Sequence, residues 1–167
     1  MRLLIALLGT LALGGCAWTQ DKPGGGGTAK AGGTASAMQE QGIAVGTVPP
    51  QRLEDGECGL FLWTRDAQRR LVFVGRPAQN AGVMVIGGDE VTLNRRAIEG
   101  APAFGAAARE RYIVEESDTE VKLRLDFAER RDISGGALVP RGTLRVSRPK
   151  GWATVLPVGG LVACEGR

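Results

Sequence analysis

The stretch that decides the fold is EVKLRLDF, residues Glu120–Phe127. Val121, Leu123, Leu125 and Phe127 alternate with Glu120, Lys122, Arg124 and Asp126. A period of two puts the first set on one face and the second on the other, the pattern of a half-buried strand with one wet side. Outward from it the period recurs. TLRVS (Thr143–Ser147) turns Leu144 and Val146 inward, and RYIVE (Arg111–Glu115) precedes EVKLRLDF across a turn at Ser117-Asp118.

Further upstream lie runs that are apolar on both faces: GLFLW (Gly59–Trp63), LVFV (Leu71–Val74) and VMVI (Val83–Ile86). Their short length and flanking turn residues favour strands over helices. Gly87-Gly88-Asp89 separates VMVI from Val91-Thr92-Leu93, which reads as a hairpin. Ala153–Leu156 and Gly160–Cys164 complete the set, interrupted by Pro157. About eight short strands with regularly spaced turns predict a mainly β fold, an antiparallel barrel or sandwich. Ala97–Arg109, AIEGAPAFGAAAR, allows one short helix through Pro102 and its alanines, against the cost of Gly100 and Gly105. Ile43–Val48 predicts a weak strand ended by Pro49-Pro50.

Ahead of these strands the composition changes. Asp21–Gly42, DKPGGGGTAKAGGTASAMQEQG, is rich in glycine and poor in large apolar residues. Such a tract cannot bury enough surface to offset the entropy of ordering and predicts a flexible coil, with ends roughly 25 Å apart over about twenty residues. At the front, MRLLIALLGTLALGGC places Arg2 before an apolar run, Leu3–Leu13, and small residues before Cys16, the layout of a secretory signal. The run is shorter than the about 20 residues a spanning helix needs.

Leu13-Gly14-Gly15-Cys16 resembles the lipobox of bacterial lipoproteins, with Gly14 a departure from the commoner alanine or serine. The resemblance covers only the first sixteen residues. It implies cleavage before Cys16, a diacylglyceryl group on its thiol and acylation of the new amine. Two or more chains suffice for stable anchoring, at about 0.8 kcal/mol per buried methylene. Ala17 stands where enteric-type lipoproteins held at the inner membrane carry aspartate, so the resemblance implies the outer membrane, facing the periplasm. The chain therefore divides into a signal peptide (1–15), a lipidated N-terminus and linker (16–50) and a β-rich globular domain (51–167).

The processed chain would keep 152 residues, and loss of Arg2 would lower the formal charge from +3 to +2. Hydrophobic content of 43% and charged content of 23% are those of a folding globular domain. The slight charge argues against nucleic acid, which needs a concentrated basic face. Arginine pairs at Arg69-Arg70, Arg95-Arg96 and Arg130-Arg131 sit near expected strand ends and read as a solvated rim, or less simply as contacts to anionic polymers or lipid head groups.

Two cysteines remain in the body, Cys58 before the first strong strand and Cys164 at the end of the last. In an oxidising compartment the even number favours a disulfide, against two separate buried thiols. Its loop of 107 residues would be worth up to about 4.7 kcal/mol by chain entropy. The spacing does not suit zinc, and no other metal or cofactor is expected.

The chain has no histidine, which removes Ser-His-Asp and Cys-His catalysis and imidazole proton shuttles. Acidic clusters at Glu54-Asp55 with Glu57, Asp89-Glu90, and Glu115-Glu116 with Asp118 all fall where turns are expected. Gly82–Gly88 lacks the lysine and helix of a phosphate loop. LVPRG (Leu138–Gly142) looks like a trypsin-family cleavage site and suggests an exposed loop. Trp18 suits a lipid interface, while Trp63 and Trp152 read as core. The expected role is a non-catalytic membrane-anchored envelope lipoprotein contacting another envelope protein or polymer. The alternative is a small-ligand or inhibitor module. Small disulfide-bonded lysozyme-inhibiting lipoproteins have a comparable layout, and Ser134-Gly135 resembles their serine-glycine loop. The tyrosine that should follow is absent. A histidine-free hydrolase is the third and weakest reading.

Overall fold

A computed structural model describes residues 42–128 and 133–166. The signal peptide, Cys16, Trp18, most of the glycine tract and Arg130-Arg131 lie outside the described residues. Among those described, eight strands run in chain order: β1 Cys58–Thr64, β2 Leu71–Arg76, β3 Ala81–Ile86, β4 Asp89–Glu99, β5 Arg109–Val114, β6 Thr119–Ala128, β7 Gly136–Ser147 and β8 Thr154–Cys164. Each pairs antiparallel with the next, and β8 returns to β1, so the sheet closes into a barrel. The expected barrel-or-sandwich choice is thereby resolved, and closure leaves no strand without a partner on each side.

Alternation sets inside and outside. On β6, Val121, Leu123 and Leu125 are buried while Lys122, Arg124 and Asp126 are exposed. Leu60, Phe73, Leu93, Tyr112, Leu144 and Val162 meet them in one continuous core. A dry interior with a charged exterior is the reverse of a membrane-spanning barrel, whose lipid face is apolar. The described helices are two single 3-10 turns, Pro77–Gln79 and Glu115–Ser117, each closed by a left-handed residue, Asn80 or Asp118. These are types that tolerate that conformation.

Bulges bend the strands into the barrel. Opposite Leu62 and Trp63 the register skips Val72, so Val72 and Phe73 both enter the core. At the β2–β3 hairpin Gly75 faces Gly82, and a Cβ on either would meet the Phe73 ring, at 2.9 and 3.1 Å. The aromatic ring thus fills space the two glycines leave and packs edge-on to Tyr112, with centroids 5.2 Å apart. The β3–β4 turn is Gly87-Gly88, both at positive φ, as a tight two-residue hairpin demands.

β2 and β3 pair only from Val74↔Val83 to Arg76↔Ala81. Into the gap beyond comes Ile43–Val48. Val45 bridges Ile86, the Gly46 N–H donates to Val85 O, and the Val48 N–H donates to Leu71 O. This strap starts at β8, where the Thr154 hydroxyl donates to Ile43 O, and Ile43 and Val45 pack on the core. The expected weak strand is therefore a stitch between two strands rather than a strand of its own.

Four expectations need correction. Residues 97–109 form no helix: β4 continues to Glu99, and the loop turns through an Ala103–Ala106 bridge. Pro157 does not divide the last strand, because β1 already stops at Thr64, opposite Val158. LVPRG is no loop but lies within β7, with Pro140 at a bulge where its missing N–H breaks no ladder. Trp152 is not core; it is 68% exposed.

Candidate functional site

Up-and-down connectivity sorts the residues to two ends. Cys58, Arg76, Ala81, Arg109 and Cys164 share one end, and Thr64, Ile86, Val114, Ser147 and Thr154 share the other. The disulfide Cys58–Cys164 joins directly opposed residues of β1 and β8 at the closing seam. Close contact continues along it: a Cβ on Gly160 would lie 1.9 Å from Phe61 O. The chain enters at the opposite end, through Gly42.

The disulfide end holds a buried ion pair. Arg95, on β4, has a side chain 8% exposed and lies 3.5 Å from the fully buried Glu110 of β5. Arg95 also donates to Gly105 O (2.9 Å), Pro77 O (2.8 Å) and Asn80 Oδ1 (2.8 Å). Glu110 accepts from the Ala107 N–H at 2.7 Å and from the Tyr112 hydroxyl. Burial, then the Glu110 charge, push the Tyr112 hydroxyl far above its ordinary pKa. Every strong donor and acceptor is occupied, so the cluster ties two loops to the barrel and leaves no free group to act on a substrate. The Arg95-Arg96 pair is thus no solvated rim at Arg95. Arg96, the exposed bulge residue, reaches Glu115 instead.

Acidic clusters do not converge. Arg76 Nη1 donates to both carboxylate oxygens of Glu57 at 2.7 Å, while its Nη2 donates to Arg52 O. Burial raises its pKa, but the Glu54 N–H and the Arg76 guanidinium outweigh this and hold it below the ordinary value. Asp89 and Glu90 open β4, while Glu115, Glu116 and Asp118 stay in the turn before β6. Asp66 orders the β1–β2 loop, accepting from the Thr64 hydroxyl (2.8 Å) and from the N–H groups of Gln68 and Arg69. The Thr64 bond chiefly holds its pKa down. No group of three metal-binding side chains occurs among the described residues.

The feature that sequence reading missed is a basic face on β5, β6 and β7. Register aligns Arg111 with Lys122, Lys122 with Arg145, and Arg145 with Val155. The next row aligns Arg109 with Arg124. Open grooves of about 460 and 580 Å³ run between these side chains, with Glu99, Glu110 and Glu120 as the carboxylates lining them. Glu120 pairs with Lys122 at 2.7 Å and Arg111 at 3.8 Å. The alternation in EVKLRLDF foretold that Lys122 and Arg124 point outward. Only strand order and register place the arginines of β5 and β7 beside them.

Comparison with known proteins finds no match, whether to a protein-family model, a curated protein or a solved structure.

Proposed function

We propose that this chain is a lipid-anchored bacterial envelope protein, held by acyl groups on Cys16 at the outer membrane with its barrel in the periplasm. The barrel acts as a non-catalytic binding module. The observation that carries this reading is Leu13-Gly14-Gly15-Cys16, placed after a short apolar run and before a glycine-rich tract. A disulfide on the closing seam suits an oxidising compartment.

Binding uses the outside of the barrel. Inward positions are filled by Leu60, Phe73, Tyr112, Leu123 and Leu144, all essentially inaccessible to water. A ligand held deep inside the barrel would have to displace that core. Ser134-Gly135 lies at the start of β7, where Gly135 O accepts the Cys164 N–H. The loop is thus tied to the seam.

Growth of the source cell with an alkyne-tagged palmitate analogue tests the anchor. The wild-type chain incorporates the label and begins at Cys16, whereas Cys16→Ser does neither. Label retained by Cys16→Ser, or a purified protein beginning at Met1, overturns the proposal.

A further inference from the structure

We propose that the β5–β8 face docks flat on an anionic lipid bilayer, so that the barrel is a surface-bound module and not one that hangs free on its tether. The row Arg111–Lys122–Arg145 sets three cations directly opposite one another on adjacent strands, which lie about 4.8 Å apart. Like charges in opposed positions destabilise a sheet. Arg109 and Arg124 repeat the arrangement one row away. Across both grooves five cations face three carboxylates: Glu99, 3.9 Å from Arg109, Glu120, which pairs with Lys122 and Arg111, and the buried Glu110, which pairs with Arg95. Glu99 and Glu120 offset part of that repulsion, and the face keeps an excess of positive charge that an external anion would meet.

The apolar neighbours specify which anion. The row ends on Val155, 52% exposed, and Trp152, 68% exposed, lies in the turn just before β8. Lys150 shares a groove with Trp152 and with Gly42, where the chain enters the barrel. A soluble polyanion has no use for an exposed indole. A bilayer has, because Trp settles at the boundary between head groups and acyl chains while Lys and Arg meet lipid phosphates. Gly42, where the described chain begins, lies at this end. The proposal takes from the envelope reading only which membrane this is.

The test uses the chain from residue 16 carrying Cys16→Ser, which has neither signal peptide nor acyl groups, with Trp18→Phe to silence the tether. Sedimentation with phosphatidylcholine vesicles is compared with that for vesicles half phosphatidylglycerol. The proposal expects binding to the anionic vesicles alone, weakened by salt. Joint Lys122→Ala and Arg145→Ala substitution weakens it about 25-fold, corresponding to about 1 kcal/mol for each cation near an anionic surface. Trp152→Ala weakens it too, and Trp152 fluorescence shifts to the blue on binding. Circular dichroism confirms that the surface variants fold.

Absence of binding to anionic vesicles overturns the proposal. So does binding that these substitutions leave unchanged. Equal competition by dextran sulfate with no effect of Trp152→Ala would make the face a polyanion site instead. These outcomes are independent of the anchor: a chain never acylated at Cys16 in cells would still bind vesicles through this face.

Discussion

At the scale of single residues, Glu110 is a charged group placed inside the barrel wall. Its carboxylate is fully buried and lies beside Arg95, itself nearly so. Removing one member of such a pair strands the other charge away from water, at about 3–5 kcal/mol. Glu110→Ala is therefore expected to lower unfolding stability by about 3 kcal/mol or more in urea titration. Tyr112→Phe keeps the ion pair and loses one hydrogen bond to a charged acceptor, about 1.5–3 kcal/mol. Tyr112 also gives a clean pH prediction, because it is the chain's single tyrosine. Its folded pKa is raised, so its contribution is complete below the unfolded value of about 10 and fades as pH climbs past it. Absorbance titration should show no tyrosinate near pH 10 in the folded protein, the signal arriving only with alkaline unfolding. An ordinary titration in the native state would refute the buried Tyr112–Glu110 contact.

At the scale of elements, glycine decides how closely strands approach. Gly160 stands opposite Leu62, and its missing side chain makes room for the Phe61 carbonyl. Since that obstacle is backbone, it cannot rotate aside. Gly160→Ala is expected to cost about 3 kcal/mol, at the upper end for overpacking, read as a lower thermal midpoint with loss of protection in β1 and β8 by hydrogen exchange. Gly87→Ala has nothing within 4 Å to strike, so only its positive φ penalises it and the loss should be smaller. The strap of residues 43–48 works at this scale as well. Arg70 pins it by donating to Val45 O, while Val48 is 2% exposed.

At the scale of the molecule, the barrel is a meander closed by the pairing of its first strand, β1, with its last, β8. The disulfide sits on that seam and spans 106 positions. Reduction, or a double Cys58→Ala and Cys164→Ala change, should lower stability by about 2–5 kcal/mol without altering strand content. The check is denaturant unfolding with and without reductant. If reduction has no effect, the bridge does not constrain the unfolded chain. The basic face also belongs to this scale, since it exists only when β5, β6 and β7 lie side by side.

Much of this was legible before any coordinates, because burial imposes a period on a strand. EVKLRLDF declares its two faces, the runs GLFLW, LVFV and VMVI mark strands, and Gly87-Gly88 marks a hairpin by its conformational freedom. Phe61, Trp63, Val83 and Val85 nonetheless end half-buried on the outside, and Trp63 is not core. Cys58 and Cys164 bracket the body in the one-dimensional chain. Four things depended on tertiary structure. Residues 97–109 carry helix-permitting alanines, but strand pairing of β4 with β5 overrides that weak local preference. Arg95 looks like any surface arginine until Glu110 and three oxygen acceptors surround it. Trp152 reads as core by its chemistry and is left outside by its place in a turn. The row Arg111–Lys122–Arg145 is invisible in sequence because its members are about ten and twenty residues apart, and register alone makes them neighbours. Periodicity is a local property and survives in the linear chain, whereas adjacency across strands is created by closure.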